Sequence, residues 1–93
     1  MLHLLVADAS GSPRLVREVA DLRAELFRLG QTIPVPPSAL DLAGHEHRDL
    51  LRALRARQPE RAQAAMVRHV SSTGTLIAGL AQVPTQATRA SAR

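Results

Sequence analysis

Apolar residues recur at three- and four-residue steps along most of the chain, and no stretch shows the strict alternation of a half-buried strand. Spacing of this kind is typical of helices that each present one apolar face. Prolines and glycines interrupt the pattern and divide it into four segments. The sequence therefore predicts an all-α protein with four helices, at about residues 2–9, 13–29, 39–57 and 59–81.

Short polar segments rich in glycine and proline mark the ends of the first two helices. Ser10-Gly11 ends the first helix with a residue suited to a left-handed cap. Ser12-Pro13 opens the second, with serine as the N-cap and proline in the first helical position, where its missing N–H has no cost. Gly30 is predicted to stop the second helix.

The third and fourth helices follow a proline-rich connection over residues 31–37, which cannot be helical and is expected to run extended. Ser38, with Asp41 three residues later, resembles a capping box and predicts the start of the third helix. Gln58-Pro59 ends that helix and begins the next. Residues 82–93 are polar, contain a proline and are predicted to be a disordered tail behind a single domain of residues 1–81.

The periodicity also predicts which side chains each helix turns inward. In the first two helices these are Leu2, Leu5, Val6 and Ala9, then Leu15, Val19, Leu22, Leu26 and Leu29, flanked by Val16 and Phe27. In the last two helices they are Ala43, His47, Leu50, Leu51 and Leu54, then Ala62, Met66, His69, Thr73, Leu76 and Leu80.

Composition narrows the range of functions. The 93 residues contain no cysteine, which excludes disulfides, thiolate metal sites and thiol nucleophiles. The apolar run at the N-terminus is too short to cross a membrane, so we expect a soluble, cytoplasmic protein. The net charge is +4, but the arginines alternate with acids and Phe27 is the sole aromatic residue. These features argue against direct nucleic-acid binding.

Histidines are the residues that suggest a site, although a histidine on an apolar stripe is more often an ordinary core residue. His45 and His47 lie two positions apart, about 200° around a helix, so both cannot point inward. His47 and His69 fall on the inward stripes of consecutive helices joined by a tight turn. Facing helices of this kind bring such positions together, and bundles build metal sites from them.

Two parts of the sequence resemble a known family. Residues 46–57 and 59–70 are similar to its EH helix, its turn and its A-x-x-M-x-x-H helix, with the two histidines twenty-two residues apart. Upstream, Leu2-His3 and residues 7–15 are similar to its F-H and A-S-G-N-P segments. The family is the FCD, the FadR C-terminal ligand-binding domain of FadR-type GntR transcriptional regulators. The resemblance covers about residues 2–80.

The resemblance implies an antiparallel helical bundle that binds a small effector, often a carboxylate. Dimerisation is also expected, because the apolar seams of residues 15–29 and 62–80 would otherwise be uncovered. The resemblance also implies a divalent metal, and His3, His47 and His69 match the family's three histidine ligands. Zn²⁺ or Ni²⁺ is expected, because imidazole suits these metals. The family's aspartate ligand would fall before Met1, so we expect an N-terminally truncated domain with weaker metal affinity and without the DNA-binding domain. Ser12 and Leu2 also replace the family's usual asparagine and phenylalanine.

Two functions other than effector binding also have to be considered for such a sequence. A small helical interaction or oligomerisation module without a ligand is the main alternative, since uncovered apolar seams favour a partner or a second copy. A metal hydrolase is not expected, because no acidic residue stands in a recognisable general-base position beside the histidines. The sequence thus predicts a regulatory binding domain that is not an enzyme.

Overall fold

The computed structural model describes residues 1–82, and these residues form helices with no strand. The helices are α1 (Leu2–Ala9), α2 (Pro13–Thr32), α3 (Pro37–Arg55) and α4 (Pro59–Gln82). The all-α prediction and the order of the four helices are confirmed. Of the predicted tail, only Gln82 falls in the described range, as the last residue of α4, and residues 83–93 lie outside it.

The chain divides into two compact units. Residues 1–34 contain α1 and α2, and the second unit begins at Val35 and contains α3 and α4. Within the helices of residues 1–82, none combines the length and the apolar character that crossing a bilayer requires.

The turn between α1 and α2 follows the prediction. Gly11 adopts a positive φ of 76°, which is the left-handed conformation that glycine accepts without strain. The Ser12 hydroxyl accepts a hydrogen bond from the Leu15 backbone N–H at 3.2 Å, and Pro13 is the first residue of α2. An N-cap of this kind contributes about 1 kcal/mol to helix stability.

The buried face of α1 differs from the predicted stripe. Ala7 is the buried residue of this helix, whereas Leu5 is 59% exposed and Ala9 is exposed. The prediction was wrong because six of the eight residues of the helix are apolar, so that their spacing does not define one face. The small side chain of Ala7 faces inward, two positions away from both Leu5 and Ala9.

Helix α2 continues past Gly30, contrary to the prediction, and ends at Thr32. A glycine within a helix costs about 1 kcal/mol relative to alanine, which does not by itself end a helix. Ile33 is extended and precedes Pro34, whose ring disfavours the helical conformation of the residue before it. The proline therefore sets the end of α2.

Helix α3 begins at Pro37, with Pro36 as its N-cap and without a capping hydrogen bond from a side chain. The predicted capping box is wrong, because Ser38 already lies inside the helix. Proline has a preset φ and no N–H that would need a partner, so the two prolines start the helix without a serine cap.

The end of α3 creates the turn that positions α4. The helix stops at Arg55, two residues earlier than predicted, and Arg57 takes a positive φ of 55°. The N–H groups of Gln58 and Arg57 donate to the carbonyl oxygens of Ala53 and Leu54 at 3.0 and 3.1 Å. This is the Schellman arrangement, with arginine where glycine is more usual. After so tight a turn, α4 runs back along α3.

Small side chains dominate the interface between α3 and α4. Leu50 is 2% exposed, and the other buried apolar residues of the two helices are three alanines, Ala53, Ala62 and Ala65. Leu54, which was predicted to face inward, is 45% exposed, and Ala53 takes the buried position beside it. Alanines at a helix crossing allow the two axes to approach closely, because interaxial distance depends on the side chains at the contact. Polar residues farther along the same hairpin are in contact with one another.

Candidate metal centre

His47 on α3 and His69 on α4 point their imidazoles at each other. Their Nε2 atoms are 3.0 Å apart, and the two rings meet edge to face with centroids separated by 4.4 Å. His69 is buried at 5% exposure, and His47 is half-buried. The predicted approach of these two histidines is confirmed.

The hairpin geometry explains why these positions meet. His47 and His69 lie at comparable distances on either side of the turn at Arg57, so antiparallel helices place them opposite each other. Leu50 lies one helical turn after His47, and Ala65 lies one turn before His69. Both neighbours are buried, so the packing of the hairpin core fixes the backbone on which the imidazoles stand.

A glutamate and a serine complete this cluster. Glu46 Oε1 lies 3.0 Å from Nδ1 of His69, and the Ser72 hydroxyl donates to Glu46 Oε2 at 2.6 Å. The Glu46 side chain is 16% exposed. Glu46 was predicted only as part of the EH motif, and Ser72 was not predicted from the sequence. One signal was present, because Ser72 lies three residues after His69 and therefore on the same side of α4.

Glu46 is held in its charged form. Burial raises the pKa of this carboxyl, but hydrogen bonds from His69 and Ser72, together with the charges of His69 and His47, outweigh burial and leave the pKa below its usual value. An ionised carboxylate can only accept hydrogen bonds. Nδ1 of His69 is therefore protonated and donates the hydrogen bond to Glu46. The Nε2 atom of the same ring is the nitrogen that faces His47.

The other two histidines are His45, on the same helix as His47, and His3, on α1. His45 is exposed, and its Nδ1 atom lies 3.1 Å from the guanidinium of Arg48, which agrees with the prediction that His45 and His47 cannot both point inward. His3 is half-buried on α1, in the first unit. Its assignment as a metal ligand stays a prediction.

The donor set of the hairpin suits a divalent transition metal. Imidazole nitrogens are preferred by Zn²⁺ and Ni²⁺, and two of them bound at 2.0–2.1 Å on a tetrahedral zinc lie about 3.3 Å apart. The observed separation of 3.0 Å between the Nε2 atoms is close to that value. Only a small opening of the pair would be needed. Without a metal, one ring can donate and the other accept, so the pair is also satisfied as a hydrogen bond.

The protein-family model described as the FCD domain matches residues 1–72. This range contains His3, His47 and His69 as well as Glu46 and Ser72. The resemblance inferred from the histidine motifs is thereby confirmed at the level of the domain. No curated protein and no solved structure gives a significant match to the chain.

Proposed function

We propose that this chain, which belongs to the FCD domain family, is the effector-binding and dimerisation domain of a FadR-type GntR transcriptional regulator. In this proposal, His47 and His69 hold a divalent cation that orients the carboxylate of a small effector. The observation that carries the proposal is the approach of the two Nε2 atoms to 3.0 Å in the interior of the α3–α4 hairpin.

His3 is proposed as the third ligand on the strength of its motif. Leu2-His3 occupies the position of the family's first histidine, within the residues that the family model matches. Three imidazoles would leave at least one coordination position for water or for a carboxylate oxygen. The bound cation would supply the positive charge that attracts the effector, and the histidines would fix the position of the cation.

A binding role is favoured over catalysis by the engagement of Glu46. This carboxylate accepts hydrogen bonds at both oxygens, from His69 and from Ser72, so it is not poised to take a proton from a substrate. Direct contact with DNA is not proposed either, since the basic residues alternate with acids. In a regulator, the structural change caused by effector binding would be transmitted to a separate DNA-binding domain. Because such a regulator acts on DNA, we propose a cytoplasmic location.

Carboxylate binding is expected to depend on the metal. Succinate should raise the melting temperature of the chain loaded with Ni²⁺, by an amount equivalent to about 2.7 kcal/mol at a hundred times its dissociation constant. Succinamide, which has the same carbon skeleton without the charges, should have no effect. Thermal unfolding followed by circular dichroism measures both. Equal shifts by succinate with and without metal, or no shift with any small carboxylate of a panel, would contradict the proposed function.

Dimerisation is proposed through α2. None of its side chains is buried, and Leu22 and Leu26 are 59% and 43% exposed on one side of the helix. Phe27 beside them is 71% exposed. A contiguous apolar surface on a helix favours association with a second copy of the chain or with a partner protein. The same surface would therefore also suit the alternative function, an interaction module that binds no ligand. Metal content after purification separates these two functions.

Self-association should therefore be sensitive to charge on this surface. Leu22→Glu is expected to shift the chain toward the monomer in sedimentation or light scattering, because the new carboxylate would have to be buried in the interface. Ala24→Glu is the matched control, since Ala24 is also exposed but lies about 200° around the helix from Leu22. A wild-type chain that is monomeric at high concentration would rule out dimerisation.

A further inference from the structure

The Glu46 side chain extends from α3 to the His69 ring and contacts the ring nitrogen that does not face His47. The carboxylate approaches Nδ1 of His69 at 3.0 Å, while Nε2 of the same ring faces His47 at 3.0 Å. One imidazole therefore has its two nitrogens in different environments, an anionic acceptor at one and an aromatic nitrogen at the other. Such an arrangement selects between the tautomers of the ring.

The carboxylate is itself held in place. The Ser72 hydroxyl lies 2.6 Å from Oε2 of Glu46 and 3.1 Å from the carbonyl oxygen of His69, and the shorter contact is made to the charged acceptor. Since both oxygens of Glu46 are engaged, the carboxylate cannot rotate without losing a hydrogen bond. Ser72 lies one turn beyond His69 on α4, so the contact also links Glu46 to the helix that carries the imidazole.

We propose that Glu46 is the positioning residue of this centre, which fixes His69 as the Nδ1–H tautomer and aims the lone pair of Nε2 at a divalent cation shared with His47. Glu46 also provides a negative charge next to neutral imidazole ligands. Carboxylates that accept from a metal-bound histidine orient the ring and increase its basicity, and their loss typically lowers metal affinity by 10- to 100-fold. The inference rests on the proposed metal function for its effect on affinity, but not for its effect on the tautomer.

The tautomer can be measured without metal. In ¹⁵N-labelled, metal-free protein above the pH at which the histidines are protonated, the ring nitrogens of His69 should show the Nδ1–H form in the wild type. In Glu46→Ala they should show a mixture of both tautomers. Circular dichroism checks that the variant keeps its helices. Glu46→Gln retains the shape of the side chain with a weaker acceptor, so it should lie between the two and serves if the alanine variant does not fold.

Zinc affinity is measured in parallel by competition with a chelating dye. Glu46→Ala should bind Zn²⁺ about 10- to 100-fold more weakly than the wild type. Asp49→Asn is the matched control, because Asp49 is an acidic residue on the same helix whose carboxylate contacts the exposed Arg52. The zinc affinity of this variant should equal that of the wild type. A wild-type chain that binds no zinc would contradict the proposed function. The tautomer of His69 in the metal-free protein would still test whether Glu46 positions the ring. The role of Glu46 is overturned if either Glu46 variant keeps the wild-type tautomer, or if a folded variant binds zinc as tightly as Asp49→Asn.

Discussion

Replacement of His69 with alanine is expected to lower the affinity of the chain for Zn²⁺ or Ni²⁺ by more than about 100-fold, since loss of a direct ligand should exceed the effect of losing a supporting residue. The substitution removes the nitrogen that faces His47 at 3.0 Å. It also deprives Glu46 of the ring that it orients. Isothermal titration calorimetry with each metal measures the change.

The comparison needs two further variants. His47→Ala removes the other nitrogen of the pair from a half-buried side chain and should weaken binding in the same way with less effect on folding. His45→Ala is the matched control, because His45 is an exposed histidine only two positions away on the same helix. Equal metal affinities in the wild type and in all three variants would identify His47 and His69 as ordinary core residues.

Leu50→Ala is expected to destabilise the α3–α4 hairpin by about 2–5 kcal/mol, the usual range for a buried leucine that leaves a cavity. Leu50 is the largest fully buried side chain of the described residues, and the other buried apolar residues of the hairpin are alanines, which are too small to fill the space. A hairpin of this size has little stability to lose, so the variant should be largely unfolded in dilute buffer. Urea unfolding followed by circular dichroism at 222 nm gives the free energy of unfolding.

Leu54→Ala provides the control for that substitution. It makes the same chemical change one turn later on the same helix, but Leu54 is 45% exposed. Its loss should therefore cost about 1 kcal/mol or less. If the two variants have the same stability, the hairpin core does not have the packing described above.

The positions of the helices could be predicted from the sequence because apolar spacing and proline both act locally. The ends were harder to predict. Gly30 and Ser38 have the local signature of a stop and of a cap, but Pro34 and the Pro36-Pro37 pair override them. Proline restricts the backbone directly, whereas glycine and serine only shift a preference of about 1 kcal/mol.

The candidate site was predictable to the extent that it depends on helix faces. His47 and His69 are inward positions on consecutive helices, and the hairpin brings them together. The contact of Glu46 with His69 could not be derived in the same way, since it depends on side-chain rotamers and on how closely the two helices approach. Ala53 and Ala65 are buried small residues of the hairpin, but apolar periodicity gives no measure of the distance between the helices.

The central claim is that His47 and His69 bind one divalent cation together, and X-ray absorption spectroscopy of the zinc-loaded chain tests it most directly. We expect nitrogen and oxygen neighbours at about 2.0–2.1 Å, with outer-shell scattering from at least two imidazole rings, and from three if His3 also binds. The imidazole scattering should decrease in His47→Ala and in His69→Ala but not in His45→Ala. A zinc spectrum without imidazole scattering, or one that is unchanged in the first two variants, would contradict the claim.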